Sequence, residues 1–168
     1  PYSSSKGCSE LITSAYRRSF FKLNGIALAS ARGGNVIGGG DWSTDRLVPD
    51  ILRAFEKKET IIIRNPNSIR PWQHVIDVLS GYLLLAQNLY DDENKYSGGW
   101  NFGPIEKDAK TVKWITEFMI QNSNTSVNWK LDKEINPHEA GYLKLDISKA
   151  KTNLGWKPIW PIEKSLLK

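Results

Sequence analysis

The apolar positions fall into alternating helical and strand-like runs. From Tyr2 to Phe21, the residues Cys8, Leu11, Ile12, Ala15 and Tyr16 recur at helical spacing, with Glu10, Arg17 and Arg18 largely off the stripe, which predicts an amphipathic helix. An Asn24-Gly25 turn leads to Ile26–Ala31, a continuous apolar run of strand length that reads as a parallel strand buried on both faces. It opens into the glycine-rich stretch Gly33 to Gly40. Leu47, Val48, Ile51, Leu52 and Phe55 return to a helical period ending near Lys57 and Lys58, where cations suit a helix C-terminus. Thr60 to Arg64 reads as a short strand.

After the turn Asn65-Pro66-Asn67-Ser68, the stretch Trp72 to Val75 leads into a helix carrying Val78, Leu79, Tyr82, Leu83, Ala86 and Leu89 on one side. Trp100 to Phe102 predicts a short strand. Thr111 is placed to cap a helix with Val112, Ile115, Met119 and Ile120 on its apolar side, and Val127 to Leu131 is strand-like. A short helix from Ser148 to Leu154 is closed by Gly155. Helices and strands alternate without internal repeat or low-complexity segment, which predicts an α/β layered fold, and no linker divides it into independent domains.

Composition narrows the function. At 168 residues and 40% hydrophobic, the chain has material for one real core. A single cysteine, Cys8, cannot form an internal disulfide, and no apolar run approaches the roughly 20 residues needed to cross a bilayer. With no signal peptide visible, the expected compartment is the cytoplasm and no membrane partner is expected. The chain opens at Pro1, apparently inside an active-site motif, and is expected to start at a truncation or processing point. The net charge of +5, from 23 basic and 18 acidic residues, is spread along the sequence. An ordinary solvated surface and a pocket for a small anion both account for it. Without a basic cluster, an RNA-binding signature or a zinc-finger signature, nucleic acid is not an expected partner.

Four segments carry candidate chemistry. In Tyr2-Ser3-Ser4-Ser5-Lys6, a Tyr and a Lys four apart on a helix share one face, about 5–6 Å apart at Cβ. An ammonium beside a phenol favours the phenolate, making Tyr2 a candidate general base for a hydroxyl being oxidised and Lys6 a candidate for holding a cofactor ribose. The loop Arg32 to Trp42 is not G-x-G-x-x-G, and it trails a strand well down the chain. Its glycines suit backbone passing close to a ligand at the carboxyl end of a sheet, with Asn35 as neutral donor and acceptor, although a ligand-free glycine loop gives the same pattern.

The third segment is Arg64-Asn65-Pro66 with Ile69-Arg70-Pro71-Trp72-Gln73-His74-Val75-Ile76-Asp77. A guanidinium held between an apolar residue and a proline suits a diphosphate gripped by two parallel hydrogen bonds, and Arg70 is the candidate for it. His74 is at least as compatible with a hydrogen-bonded structural histidine, and Asp77 with a helix N-terminus. The fourth is the run from Pro137 to Asp146, followed by Ser148-Lys149-Ala150 and Leu154 to Pro158. Its His138-Glu139 pair lacks a second His at the spacing of a zinc helix, the only other histidine is His74, and no metal site is expected.

In this order and at these separations, PYSSSKGCSEL, GGNVIGGGDW, DRLVPDILRAF, IIIRNPNSIRPWQHV, GYLLLAQNLY, GWNFGP, PHEAGYLKLD and SKAKTNLGW resemble the extended short-chain dehydrogenases that act on sugar nucleotides, the NAD-dependent epimerase and dehydratase family. The resemblance runs from Tyr2 to about Leu166. It implies an α/β fold: the C-terminal part of a doubly wound Rossmann-type fold with a smaller mixed α/β substrate-binding domain. Residues 1–40 would complete the NAD domain and 41–168 would be mostly the substrate domain, with 75–104 returning to the Rossmann sheet.

GGGDW resembles the branch that dehydrates CDP-glucose, so CDP-glucose is the implied substrate and NAD the implied cofactor. The implied reaction takes a hydride from sugar C4 to NAD, loses water across C5 and C6, and returns the hydride to C6, supplying deoxysugars for lipopolysaccharide O-antigen. Carried onto this sequence, Tyr2 and Lys6 are catalytic and cofactor-binding. Asn35, Arg46 and Arg70 resemble substrate contacts, with Arg64 and Tyr142 behind them.

The family's glycine fingerprint and its acid and base for water loss lie before the tyrosine, so the chain by itself is expected to be inactive. The full-length enzyme is expected to be a homo-oligomer. Another nucleotide-sugar dehydratase or epimerase, and a catalytically silent nucleotide-sugar binding module, stay open as alternatives.

Overall fold

The computed structural model describes residues 2–134 and 140–167. In chain order the elements are helix α1 (Tyr2–Tyr16), strands β1 (Ala29–Gly33) and β2 (Asn35–Ile37), helix α2 (Leu47–Lys57), strands β3 (Ile61–Ile63), β4 (Ile69–Arg70) and β5 (Trp72–His74), and helix α3 (Val75–Asp91). There follow helix α4 (Glu93–Tyr96), strands β6 (Gly98–Phe102) and β7 (Lys110–Thr111), helix α5 (Val112–Gln121), strand β8 (Trp129–Leu131), and helices α6 (Ser148–Leu154) and α7 (Ile162–Leu166). Three strand pairs are parallel, β1 with β6, β2 with β5 and β3 with β8, and β4 with β7 is antiparallel. No helix among the described residues is long and apolar enough to cross a membrane.

The chain clusters into two compact units. One takes the chain up to Gly33 together with Leu79–Phe102 and Asp146–Lys157. Its core joins Leu85, Tyr96, Trp100, Phe102, Ala150 and Trp156. Trp156 follows Gly155, whose left-handed φ of 64° ends α6 as the sequence predicts. Its ring meets Phe102 edge-on at 5.0 Å, and its Nε1 donates to Ser80 Oγ at 3.1 Å, so a large aromatic is buried with its polar atom satisfied.

Two faces in this unit differ from the sequence expectation. The apolar stripe of α1 is turned outward, with Leu11 72% and Ile12 58% exposed. The half-buried side carries Glu10, Thr13 and Arg17 instead. The reason is a polar contact that periodicity does not report: Glu10 pairs with Arg32 of β1 at 3.3 Å and accepts from Ser30 Oγ at 2.9 Å. The strand itself covers Ala29–Gly33, later than the apolar run from Ile26, and its residues are mostly half-buried.

Helix α3 buries Val78, Gly81 and Leu85, leaving Leu79 and Leu83 exposed although the sequence grouped them with Val78. The helix is apolar on both sides, and Gly81 selects the face. The ring of Phe102 occupies the space that a Cβ at residue 81 would need, with its Cγ at 3.0 Å. Gly81→Ala should therefore cost about 1–3 kcal/mol by overpacking, despite the better helix propensity of alanine. Urea unfolding should show a lower midpoint, and a midpoint equal to or above wild type would contradict this packing.

The other unit takes Gly34–Val78, Gly103–Leu145 and the residues from Pro158 onward. Its core joins Ile37, Ile51, Ala54, Ile61, Ile63, Trp72, Ile115, Met119, Val127 and Ile162. Helix α2 supplies Ile51 and Ala54 and ends on Lys58 in the left-handed conformation, φ 56°. Thr111 caps α5 as expected, its hydroxyl accepting from Trp114 N at 3.1 Å. β3 and β8 lie inside the predicted strands 60–64 and 127–131. Asp77, in the first turn of α3, is buried, and its two carboxylate oxygens accept from Ile159 N at 3.0 Å and Trp160 N at 2.9 Å. Asp77 thus fastens a segment 82 residues away at Ile159, besides favouring its own helix N-terminus.

Candidate functional site

In the first unit the candidate pair stands at the start of α1. Tyr2 is the first helical residue and Lys6, an exposed side chain, follows one turn later on the same helix. The register that the Tyr-x-x-x-Lys spacing requires is present.

In the second unit, β4 organises the candidates. On one side β4 pairs with β7, Ile69 opposite Thr111 and Arg70 opposite Lys110. On the other, Ile69 N donates to Gly141 O at 2.9 Å and Leu143 N donates to Ile69 O at 3.1 Å, so Tyr142 lies in bridge register with Ile69. The third and fourth sequence motifs are therefore neighbours. Arg70 is buried, 7% exposed, with Nη1 donating to the Ile69 carbonyl at 2.9 Å. It is not a surface side chain. Tyr142 is exposed, with Lys144 Nζ 5.1 Å from its ring centroid. Lys144 in turn donates to Glu106 at 2.8 Å, which holds the Glu106 carboxyl below the usual carboxylate range.

Asn35 joins the same neighbourhood through the backbone: it lies opposite Trp72 in the β2–β5 pair, and its N donates to Pro71 O at 2.8 Å. This explains two of the loop's glycines. A Cβ at residue 34 would collide with the Pro71 carbonyl oxygen, and one at residue 38 would lie 2.7 Å from Val75 Cγ1. Those two glycines let the chain approach itself, whereas Gly39 and Gly40 face open space.

The next stretch is tied down by its own side chains. Arg53 donates to the carbonyls of Trp42 and Ser43, both at 3.0 Å, and pairs with Asp50. The Asp41 carboxylate accepts from Ser43 N at 3.0 Å, and the hydrogen bonds to Ser43 hold it below its ordinary range. Arg46 is the extended N-cap residue of α2, and Arg64 pairs at 3.7 Å with its neighbour Asp45. Backbone pairing thus sets Tyr142 opposite Ile69, the residue before Arg70, and Asn35 opposite Trp72, two residues after it, while Arg64 pairs with Asp45, the residue before Arg46. Arg53, which holds the GGGDW backbone, was missed because an arginine on a polar helix face has no distinguishing sequence signal.

His74 is buried; its Nδ1 accepts from Ile76 N at 3.2 Å and its ring stacks on Trp160 at 4.5 Å, the geometry of a structural histidine. The His138-Glu139 pair lies outside the described residues.

Solved Rossmann-type nucleotide-sugar epimerases and dehydratases superpose on nearly the whole chain. UDP-glucuronic acid 4-epimerase from Bacillus cereus, in complex with UDP-glucuronic acid and NAD, matches 99% of this chain and 50% of its own at a TM-score of 0.83 and 21% identity. dTDP-glucose 4,6-dehydratase from Bacillus anthracis, in complex with NAD, matches 99% of this chain and 49% of its own at a TM-score of 0.74 and 19% identity. These identities speak to the fold, which is part of a doubly wound α/β sheet protein. The family model described as GDP-mannose 4,6 dehydratase matches residues 1–167, and the chain belongs to that family. CDP-glucose 4,6-dehydratase of Salmonella typhimurium is 57% identical over 99% of this chain and 48% of its own length. The chain spans about half the length of the curated relatives it matches.

Proposed function

We propose that the protein is an NAD-dependent CDP-glucose 4,6-dehydratase, of which this chain carries the Tyr-Lys pair and the greater part of the sugar-nucleotide pocket. The observation that carries the reading is the 57% identity to the Salmonella enzyme across 99% of the chain. In this reading Asn35, Arg46, Arg64, Arg70 and Tyr142 bind the CDP-sugar. Arg70 grips the diphosphate, Arg46 and Arg64 add charge beside it, and Asn35 and Tyr142 contact neutral hydroxyls or the base.

NAD suits the residues present: Lys6 offers an exposed ammonium one turn from Tyr2, a donor for a ribose hydroxyl. Bound there, NAD would supply the hydride acceptor for sugar C4 and the hydride donor for C6. Tyr2 takes the proton of the C4 hydroxyl during the oxidation, and Lys6 favours the phenolate that does so. Water leaves across C5 and C6 while C4 is a ketone, and the product is CDP-4-dehydro-6-deoxy-glucose.

Full-length protein should turn over CDP-glucose with a kcat/KM at least about 100-fold above those for dTDP-glucose, UDP-glucose and GDP-mannose, a difference of roughly 2.7 kcal/mol in transition-state binding. The 168-residue chain, which contains no G-x-G-x-x-G, should form no 4-keto product. Comparable rates on a second nucleotide sugar would overturn the assignment of the cytidine nucleotide.

A further inference from the structure

At the start of β6 three cations converge on the backbone of Gly98 and Gly99. Lys149 of α6 donates from Nζ to Gly99 O at 3.0 Å and lies 4.0 Å from the ring centroid of Trp100. The Arg32 guanidinium of β1 lies over Gly99, in the volume a Cβ there would need. Arg17 is half-buried in the π-helical turn Arg17–Phe21 that continues α1, a type of irregularity that often serves function.

Gly98 has a φ of 114°, which reserves the position for glycine. The point where its Cβ would stand is 3.8 Å from Lys149 Nζ and 4.0 Å from Arg17 Nη1, the two side-chain atoms that border the gap. The glycine thus leaves no side chain between the two cations.

The charges around it do not balance. Glu10 is spent on Arg32 at 3.3 Å, and the Asp146 carboxylate accepts from Ser148 N at 2.8 Å. With Glu10 set against Arg32, no carboxylate stands within ion-pair distance of Arg17 or Lys149 among the described residues. Burial, with the Arg32 and Arg17 charges adding to it, holds the Lys149 ammonium below the usual lysine range.

We propose that this site binds a phosphate dianion, inorganic phosphate or a phosphomonoester, through Arg17 and Lys149 with the Arg32 charge alongside. The dianion sets its charge against Arg17 and Lys149, the guanidinium matching two of its oxygens and the ammonium a third. The site shares no residue with the proposed sugar-nucleotide pocket.

Amide spectra of the 15N-labelled full chain, titrated with sodium phosphate against sodium chloride at equal ionic strength, test it. The Gly98 and Gly99 amides should shift with phosphate at half-saturation in the range of about 1 mM and not with chloride. Arg17→Gln and Lys149→Gln should each weaken the titration about tenfold or more, and Arg17→Lys should recover part of the loss. Amides elsewhere report that each variant is folded. Glycine amides unmoved at about 50 mM phosphate, or both glutamine variants titrating like wild type, would overturn the proposal.

Discussion

Tyr2→Phe in the full-length protein should slow CDP-glucose turnover by about 10²–10⁴-fold while leaving CDP-glucose binding within about twofold of wild type. The substitution removes one oxygen, the atom that receives the C4 proton in the proposed reaction, and leaves the ring. In the proposed reaction the Lys6 ammonium, one turn on along α1, favours the charge that develops on that oxygen. A positioning tyrosine would show the opposite split, with weaker binding and modest loss of kcat. Single-turnover hydride transfer to NAD, followed at the absorbance of the reduced cofactor, together with calorimetric binding of CDP-glucose, separates the two. A Phe variant retaining nearly full turnover would exclude Tyr2 as the base.

Arg70→Ala should weaken CDP-glucose binding by about 2–4 kcal/mol, roughly 30- to 1000-fold, and Arg70→Lys should recover only part of it. A bidentate guanidinium–diphosphate contact is charge-assisted on both sides, and lysine keeps the charge without the fork. The setting strengthens the expectation, since Arg70 is 7% exposed on a strand paired on one side with β7 and held on the other by the backbone of Gly141 and Leu143. A side chain held in so narrow a frame loses little further freedom on binding. NAD affinity should stay within about twofold, because no NAD contact is assigned to Arg70. A thermal melt of each variant, run beside the titrations, distinguishes a binding loss from a folding loss. A folded Arg70→Ala protein with unchanged CDP-glucose affinity would remove the clamp from the mechanism.

The features legible in the sequence were those decided within one turn or one strand. Thr111 caps α5, Gly155 ends α6, and the periodic runs at Leu47 to Phe55 and Val78 to Leu89 are helices, because caps and periods depend on neighbours a few residues away. What escaped depends on distant partners. Asn35–Ile37 looked like part of a glycine loop, yet it is a strand, because Trp72–His74 lies alongside it. Two-residue strands such as β4 and β7 have no period to detect. The half-buried side of α1 was misjudged because Glu10 finds Arg32 and Ser30, and the buried side of α3 because Phe102 seats against Gly81. At the candidate site, residue types pointed to Asn35, Arg70 and Tyr142, but only the backbone pairing of Ile69 with residues 141–143 sets the third and fourth motifs side by side.

The pairing pattern also governs how this chain reaches its native state. Among the described residues no strand pairs with the next one in sequence: Ala29 meets Gly98, Ile61 meets Trp129, and even the short β4 waits for β7. Each pair closes a long loop before its hydrogen bonds repay the lost entropy, so helices such as α3 and α5 form early and the sheets assemble late. During that interval the edges of β1 and β3 are bare, and the triple isoleucine Ile61–Ile63 is an apolar β-prone segment with backbone groups open to another chain. Yield on refolding should therefore depend on protein concentration more than on the final stability of either unit.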